Sequence, residues 1–123
     1  MTRGRPESLS AVTLGVTDMA ASCAFYDALG FVAAYGGPSE PFTSYALGGT
    51  YLNLQLVPRT STGWGRFIVH VDDVDAIHAR ALAAGLRPTM APSDAPWGER
   101  YFHIDDPDGH EVSFARPLAS GGG

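Results

Sequence analysis

The stretch Val16-Thr-Asp-Met-Ala-Ala-Ser-Cys-Ala-Phe-Tyr-Asp-Ala-Leu-Gly-Phe31 decides the fold, because its main features return further along the chain. A shift of 55 positions places Val16-Thr-Asp18 on Val71-Asp-Asp73, and Gly30-Phe31 on Gly85-Leu86. Identity between the two copies is weak, but the matches fall at residues that begin or end secondary structure. Such self-similarity predicts two copies of one supersecondary unit.

Each copy contains the signals that begin and end a helix. Asp18 and Asp73 are favourable N-cap residues, and Gly30 and Gly85 suit the left-handed position that follows a helix. About three helical turns fit between each pair. The second helix is expected to bury a face at helical spacing that consists of Val74, Ile77, Ala81 and Leu82.

Short segments rich in β-branched and aromatic residues surround both helices, and Gly-rich turns separate them. In the first copy we predict strands over residues 9–16, 31–35, 43–47 and 51–57; in the second, over 66–71, 87–91, 99–104 and 110–115. The order is βαβββ twice, which predicts an α+β fold. We expect one compact domain with modules at residues 8–58 and 64–117, frayed termini, helices on the outside and a free concave sheet face.

Composition narrows the class of protein. The chain has 123 residues, 45% of them hydrophobic, a mean hydropathy of −0.02 and a net charge of −5. These values exclude a disordered chain, and the acidic balance argues against nucleic acid and anionic membranes as partners. Residues 1–8 lead into no apolar signal segment, so we expect a cytoplasmic protein. The single cysteine, Cys23, leaves no pair for a disulfide and no Cys/His cluster for zinc.

Three segments carry a resemblance to a known family. Val12-Thr-Leu-Gly-Val-Thr-Asp18 and Ala24-Phe-Tyr-Asp-Ala-Leu-Gly-Phe31 are similar to the opening strand and helix of the vicinal oxygen chelate superfamily. Asp105-Asp-Pro-Asp-Gly-His-Glu-Val-Ser-Phe114 resembles its closing hairpin. That superfamily includes glyoxalase I, extradiol dioxygenases, fosfomycin-resistance enzymes and bleomycin-resistance proteins. The resemblance implies the same two-module fold.

The resemblance also implies where a divalent metal would bind. The family's ligands on the first, fourth, fifth and eighth strands correspond to Ala11, Asn53 (or Gln55), Arg66 and Ser113. Alanine has no donor atom and an arginine repels a cation, so we expect no metal and no other cofactor. A displaced metal site formed by His70, His103 and Glu111 is the fallback. His110 and His78 are expected to be surface or capping groups.

One further segment, Ala95-Pro-Trp-Gly-Glu-Arg-Tyr-Phe102, resembles the bleomycin-resistance-like branch. Members of that branch are dimers that bind a drug in a cleft shared between subunits, lined by aromatic rings and polar groups. For each aromatic residue, core packing is an equally open role, and Arg66 has the alternative of pairing with Glu111. The ligand-binding candidates are Trp64, Trp97, Phe42, Tyr101, Asn53, Gln55, Arg66, Ser113 and Glu111.

Three functions follow from these residues. The favoured one is a metal-independent protein that sequesters an antibiotic-like or heteroaromatic small molecule without catalysis. The resemblance implies that it forms a homodimer. The alternative is a metal-dependent lyase, isomerase or dioxygenase with a rearranged metal site. A metal-free enzyme that uses Arg66, His70, His103 or Glu111 is the third. Metal content of the purified protein separates the first two.

Overall fold

The fold was obtained as a computed structural model, which describes residues 4–119. The expectation of frayed ends falls partly on residues 1–3 and 120–123, outside that range, and the last strand continues to Pro117. Neither helix in the described part of the chain is long and apolar enough to cross a membrane. The elements are β1 (Ala11–Val16), α1 (Met19–Ala28), β2 (Val32–Tyr35), β3 (Phe42–Leu47), β4 (Thr50–Leu56), β5 (Arg66–His70), α2 (Val74–Ala83), β6 (Ser93–Asp94), β7 (Glu99–Asp105) and β8 (Glu111–Pro117).

The strands form two sheets with the same connectivity. The first has the order β1-β4-β3-β2 and the second β5-β8-β7-β6. The first strand of each sheet is parallel to the last strand of its own module, and the remaining pairs are antiparallel. The predicted α+β fold of two βαβββ units is therefore confirmed. The elements of the two units lie within residues 11–56 and 66–117.

Local interactions explain where both helices begin and end. The Asp18 carboxylate accepts a hydrogen bond from the backbone N–H of Ala21 at 3.0 Å, and Asp73 does the same for Ala76 at 3.0 Å. Beyond the helix ends, Gly30 and Gly85 have φ angles of +92° and +78°. A side chain is disfavoured at such angles, so both glycines act as the predicted stop signals.

The predicted sixth strand at residues 87–91 is wrong. Strand β6 lies later, at Ser93–Asp94, where it pairs with Tyr101 and Arg100. Pro88 and Pro92 lack the N–H groups that a ladder needs. Only Thr89 of this segment reaches β7, through its backbone N–H and hydroxyl to the His103 carbonyl at 3.0 and 3.1 Å.

The expected buried face of α2 is also partly wrong. Val74 and Ala81 are buried and Ile77 packs against the core, but Leu82 is 56% exposed. The helices differ because α1 is covered on more of its surface: Phe25 and Tyr26 are buried together with Met19, Ser22 and Cys23. Helix α1 therefore buries a wider face than α2, while its Ala20, Ala24 and Asp27 remain exposed.

Alternate residues of the strands define an interior and two open faces. One hydrophobic cluster joins Leu14, Leu52 and Leu54 of the first sheet to Phe102 and Phe114 of the second, with both helices against it. Side chains at the intervening positions point away from this core. We call them the first open face (Ala11, Thr13, Phe42, Ser44, Tyr51, Asn53 and Gln55) and the second open face (Arg66, Ile68, His70, Glu99, Tyr101, His103, Glu111 and Ser113).

The turn between β7 and β8 fixes the two modules to each other. The Tyr26 hydroxyl donates to the Asp106 carboxylate at 2.8 Å, and the Thr17 hydroxyl donates to Asp108 at 2.6 Å. His110 contacts the Gly15 carbonyl through Nε2 at 2.8 Å. His110 is only 2% exposed, so its expected role as a surface or capping group is wrong. These polar contacts, of which the one between Tyr26 and Asp106 is buried, therefore join the two modules.

Candidate functional site

The first open face is polar and uncharged at its centre. Asn53 on β4 accepts a hydrogen bond from the Ser44 hydroxyl at 2.7 Å and donates through its amide nitrogen to Thr13 at 3.2 Å. Phe42 lies opposite Gln55 in the register of β3 and β4. The structure thus brings three predicted ligand residues, Phe42, Asn53 and Gln55, onto one surface, where the polar groups of Asn53 are already engaged by its neighbours.

The second open face carries a row of aromatic rings. The ring centroids of Trp97 and Tyr101 are 5.5 Å apart, and those of Tyr101 and His103 are 5.1 Å apart. Trp97 is 63% exposed, yet its indole N–H donates to Glu99 at 3.0 Å. A hydrogen bond on an exposed indole restricts its rotation without covering its ring. Two predicted ligand residues, Trp97 and Tyr101, therefore form an aromatic surface in which the Trp97 indole is fixed by a hydrogen bond.

Glu99 joins this row to β5 and was missed by the sequence prediction. One carboxylate oxygen accepts from Trp97, and the other lies 3.0 Å from Nε2 of His70. The signal for Glu99 was present: it lies two and four residues before Tyr101 and His103 on one strand, so alternation places all three on one face. The family's metal positions give no signal for Glu99, because none of them is on β7.

A buried serine supports the histidine of the row. A hydrogen bond of 2.5 Å joins the Ser113 hydroxyl on β8 to Nδ1 of His103, and Ser113 is only 2% exposed. Burial lowers the pKa of His103, and the Glu111 carboxylate opposes this shift less strongly. His103 is therefore uncharged at neutral pH, and Ser113 positions its ring.

Arg66 and Glu111 face each other at the start of β5 and β8. The closest approach of the guanidinium to the carboxylate is 3.9 Å, between Nη1 and Oε2. Both side chains keep partial access to solvent, so the pair is a weak ion pair. This distance agrees with the alternative role of Arg66, which was to pair with Glu111 and not to bind a ligand. Glu111 partly offsets the positive charge of Arg66.

A cavity lies between the first strands of the two modules, β1 and β5. It has a volume of about 680 Å³ and is lined by Ala11 and Tyr51 from the first open face and by Arg66, Ile68 and His70 from the second. His70 links the cavity to Glu99 and hence to the aromatic row. The aromatic row therefore lies next to the cavity, on the far side of His70.

Trp64 lies at the other end of this cavity, between it and a second cavity of about 340 Å³. Its indole N–H donates to Nδ1 of the buried His110 at 3.1 Å. Gly63 and Gly65 have φ angles of +77° and +137°, which favour glycine on both sides of the ring. Trp64 is thus held at its polar edge while half of its surface stays exposed.

The family positions for a divalent metal do not fit one in this chain. Ala11 has no donor atom, the Asn53 amide is bonded to Ser44 and Thr13, and Ser113 is bonded to His103. Arg66 brings positive charge to the remaining position. The fallback site is not assembled either: within residues 4–119, no group of three His, Cys, Asp or Glu side chains is close enough to hold a metal ion.

Comparison with known proteins identifies the family. The Glyoxalase/Bleomycin resistance protein/Dioxygenase superfamily model matches residues 8–114. A curated relative, an uncharacterized protein of Mycobacterium bovis, is 39% identical over 83 residues, which are 68% of this chain. The matched region spans 45% of that relative's own length.

Solved structures agree with the fold. TioX from Micromonospora sp. ML1 is 28% identical with a TM-score of 0.73, covering 91% of this chain and 100% of that one. A bleomycin resistance determinant encoded on the transposon Tn5 has a TM-score of 0.75 at 20% identity, covering 92% and 100%; at that identity the likeness concerns the fold alone. The family match covers nearly the whole chain, and the chain therefore belongs to the glyoxalase/bleomycin resistance protein/dioxygenase superfamily.

Proposed function

We propose that this protein is a metal-independent binding protein that sequesters an antibiotic-like or heteroaromatic small molecule. The observation that carries the proposal is the aromatic row of Trp97, Tyr101 and His103, in which a hydrogen bond holds the indole of Trp97 while its ring stays exposed. Flat rings gain about 0.5–1.5 kcal/mol from each favourable aromatic pair beyond the burial of apolar area. The adjoining cavity of about 680 Å³ lies in the range of small-molecule sites.

The chemistry of the family's metal positions supports binding over catalysis. The superfamily's description includes glyoxalases and dioxygenases, but Ala11 and Arg66 cannot supply the ligands for a divalent ion. The metal-dependent alternative would need His70, His103 and Glu111 to converge. In the structure they have separate partners, namely Glu99, Ser113 and Arg66. Sequestration needs affinity without turnover, which these residues allow.

We also propose that the protein forms a homodimer in which a second copy covers the open faces. Large apolar side chains are exposed on the first and second sheets: Val32, Tyr35 and Ile68 are between 58% and 70% exposed. Strands β1 and β5 are each at the edge of a sheet. A partner's first open face, with Asn53, Gln55 and Phe42, would form the wall opposite Tyr101, Arg66, Glu111 and Ser113.

Tryptophan fluorescence tests the proposed function. Metal-stripped protein is titrated with a panel of heteroaromatic and peptide antibiotics, and the same titration is repeated with Trp97→Phe and Trp64→Phe. We expect quenching by at least one compound, and a loss of affinity in the Trp97 variant. Quenching by no compound would contradict the proposal.

Metal content provides the independent check. Elemental analysis is made on untagged protein purified without chelator, and binding is measured again after divalent ions are added. The proposal expects affinity that does not depend on metal. One divalent ion per chain, with binding that is lost on chelation, would instead support the metal-dependent alternative.

A further inference from the structure

The charges on the second open face are not balanced at every point. Arg66 compensates Glu111 at 3.9 Å, and His103 is uncharged because burial lowers its pKa. Glu99 has a different environment: its partners are the Trp97 indole at 3.0 Å and the His70 imidazole at 3.0 Å. Neither partner carries a permanent positive charge. When the His70 imidazole is neutral, Glu99 therefore contributes a net negative charge beside the exposed ring of Trp97.

The position of Glu99 matches the two requirements of an organic-cation site. A cation placed over the face of a tryptophan or tyrosine is attracted by the ring quadrupole. A carboxylate next to the ring adds a charge-assisted interaction. Trp97 and Tyr101 present their rings 5.5 Å apart at an interplanar angle of 39°, with Glu99 bonded to the indole edge.

The two open faces differ in this respect. The side chains of β1, β3 and β4 on the first open face are all uncharged, and the central amide of Asn53 is occupied by Ser44 and Thr13. Discrimination by ligand charge must therefore come from the second open face. Within it, Glu111 at 3.9 Å partly offsets the charge of Arg66, so the guanidinium attracts an anionic group less than an isolated one would.

We infer that Glu99, Trp97 and Tyr101 form a subsite that selects ligands with a cationic amine or amidine group attached to a flat aromatic ring. The inference rests on the proposed function and specifies its ligand class. The ring lies in the cavity beside Ile68 and His70, and the cationic group reaches Glu99 past His70. His70 and Trp97 hold the carboxylate in place for that contact.

Three acridines of nearly equal shape test the charge selection by isothermal titration calorimetry on the full chain at slightly alkaline pH. The probes are 9-aminoacridine as the cation, acridine as the neutral compound and acridine-9-carboxylate as the anion. We expect the cation to bind about tenfold more tightly than the neutral compound, and the anion to bind most weakly. Equal affinity for all three would overturn the inference and leave the proposed binding function intact, whereas binding of none would overturn both.

A substitution of Glu99 tests whether its carboxylate is the source of the preference for a cationic ligand. Glu99→Gln keeps an oxygen that accepts from Trp97 but removes the charge, so we expect the preference for the cation to fall to near unity while acridine binds as before. The control is Glu40→Gln, an exposed carboxylate in the turn before β3, which should leave all three affinities unchanged. A preference that persists in Glu99→Gln would overturn the assignment. The charge series on the unsubstituted chain remains decisive if the variant fails to fold.

Discussion

The two open faces share one strand order but differ in chemistry. On the first, Asn53 is bonded to Ser44 and Thr13, so its central polar groups are used within the face. On the second, a hydrogen bond to Glu99 holds Trp97 in place but leaves its ring exposed, and the other oxygen of that carboxylate contacts His70. A duplicated backbone thus supports two different surfaces. The difference suggests that the second face carries the specificity of binding and that the first supplies a neutral wall.

Truncation of two residues at equivalent positions separates these roles most strongly. Trp97→Ala removes an exposed ring, so we expect affinity for the ligand to fall about 30-fold (about 2 kcal/mol) with little change in stability. Phe42→Ala, 55 positions earlier, removes a partly buried ring and is expected to cost stability, about 2 kcal/mol at most. Titration calorimetry and urea unfolding measure both. If Trp97→Ala lowers stability and leaves affinity unchanged, the ring has a structural role.

The hydrogen bond between Tyr26 and Asp106 joins the two modules, and its contribution to stability can be measured. Tyr26→Phe removes the hydroxyl that donates to Asp106, in a site where both residues are buried. Leaving a buried carboxylate oxygen without this donor is expected to lower the free energy of unfolding by about 1–3 kcal/mol. The matched control is Tyr35→Phe, whose ring is exposed on β2 and should show no change. Equal stability of the two variants in urea unfolding would argue against this contact.

His103 allows a pH test confined to the second face. Burial lowers its pKa in the folded protein, so the unfolded chain binds the proton more tightly. Between the lowered pKa and the usual value of about 6.5, acidification should therefore reduce stability. His103→Gln should remove that part of the pH dependence. An NMR titration that places the His103 pKa at or above its usual value would contradict the burial of this ring.

The weakest expected effect concerns the ion pair. Arg66→Gln removes a partner of Glu111 that is partly exposed, and the free energy of unfolding should change by no more than about 0.5 kcal/mol. Glu111 then loses this cationic partner, so affinity for a cationic probe should rise slightly. Calorimetry with 9-aminoacridine measures this change. A clear loss of affinity would instead mean that Arg66 contacts the ligand directly.

Features encoded locally could be predicted from the sequence. Asp18 and Asp73 cap the helices and Gly30 and Gly85 end them, because each acts through its nearest neighbours. The prediction of the sixth strand was wrong for an equally local reason, since Pro88 and Pro92 have no backbone N–H group to donate to a neighbouring strand. The alternation of β4, β5 and β8 also placed Asn53, Arg66 and Ser113 on faces turned away from the core.

Features that depend on packing between modules could not be predicted. Leu82 matches the helical spacing of a buried residue, yet it is exposed because the face that α2 buries runs through Val74, Ile77 and Ala81. His110 lies beside a turn, yet it is buried because that turn packs on β1. The partners of Glu99 come from two separate segments, and only the folded chain brings Trp97 and His70 to the same carboxylate.

NMR mapping on metal-stripped protein tests the central claim most directly. ¹H–¹⁵N correlation spectra are recorded with and without 9-aminoacridine, and the backbone amides and the two tryptophan indoles are followed. We expect the largest shifts at the Trp97 indole and along β7 and β8, with no requirement for a divalent ion. Shifts confined to other parts of the chain, or shifts that arise only after a metal is added, would contradict a metal-independent site on the second open face.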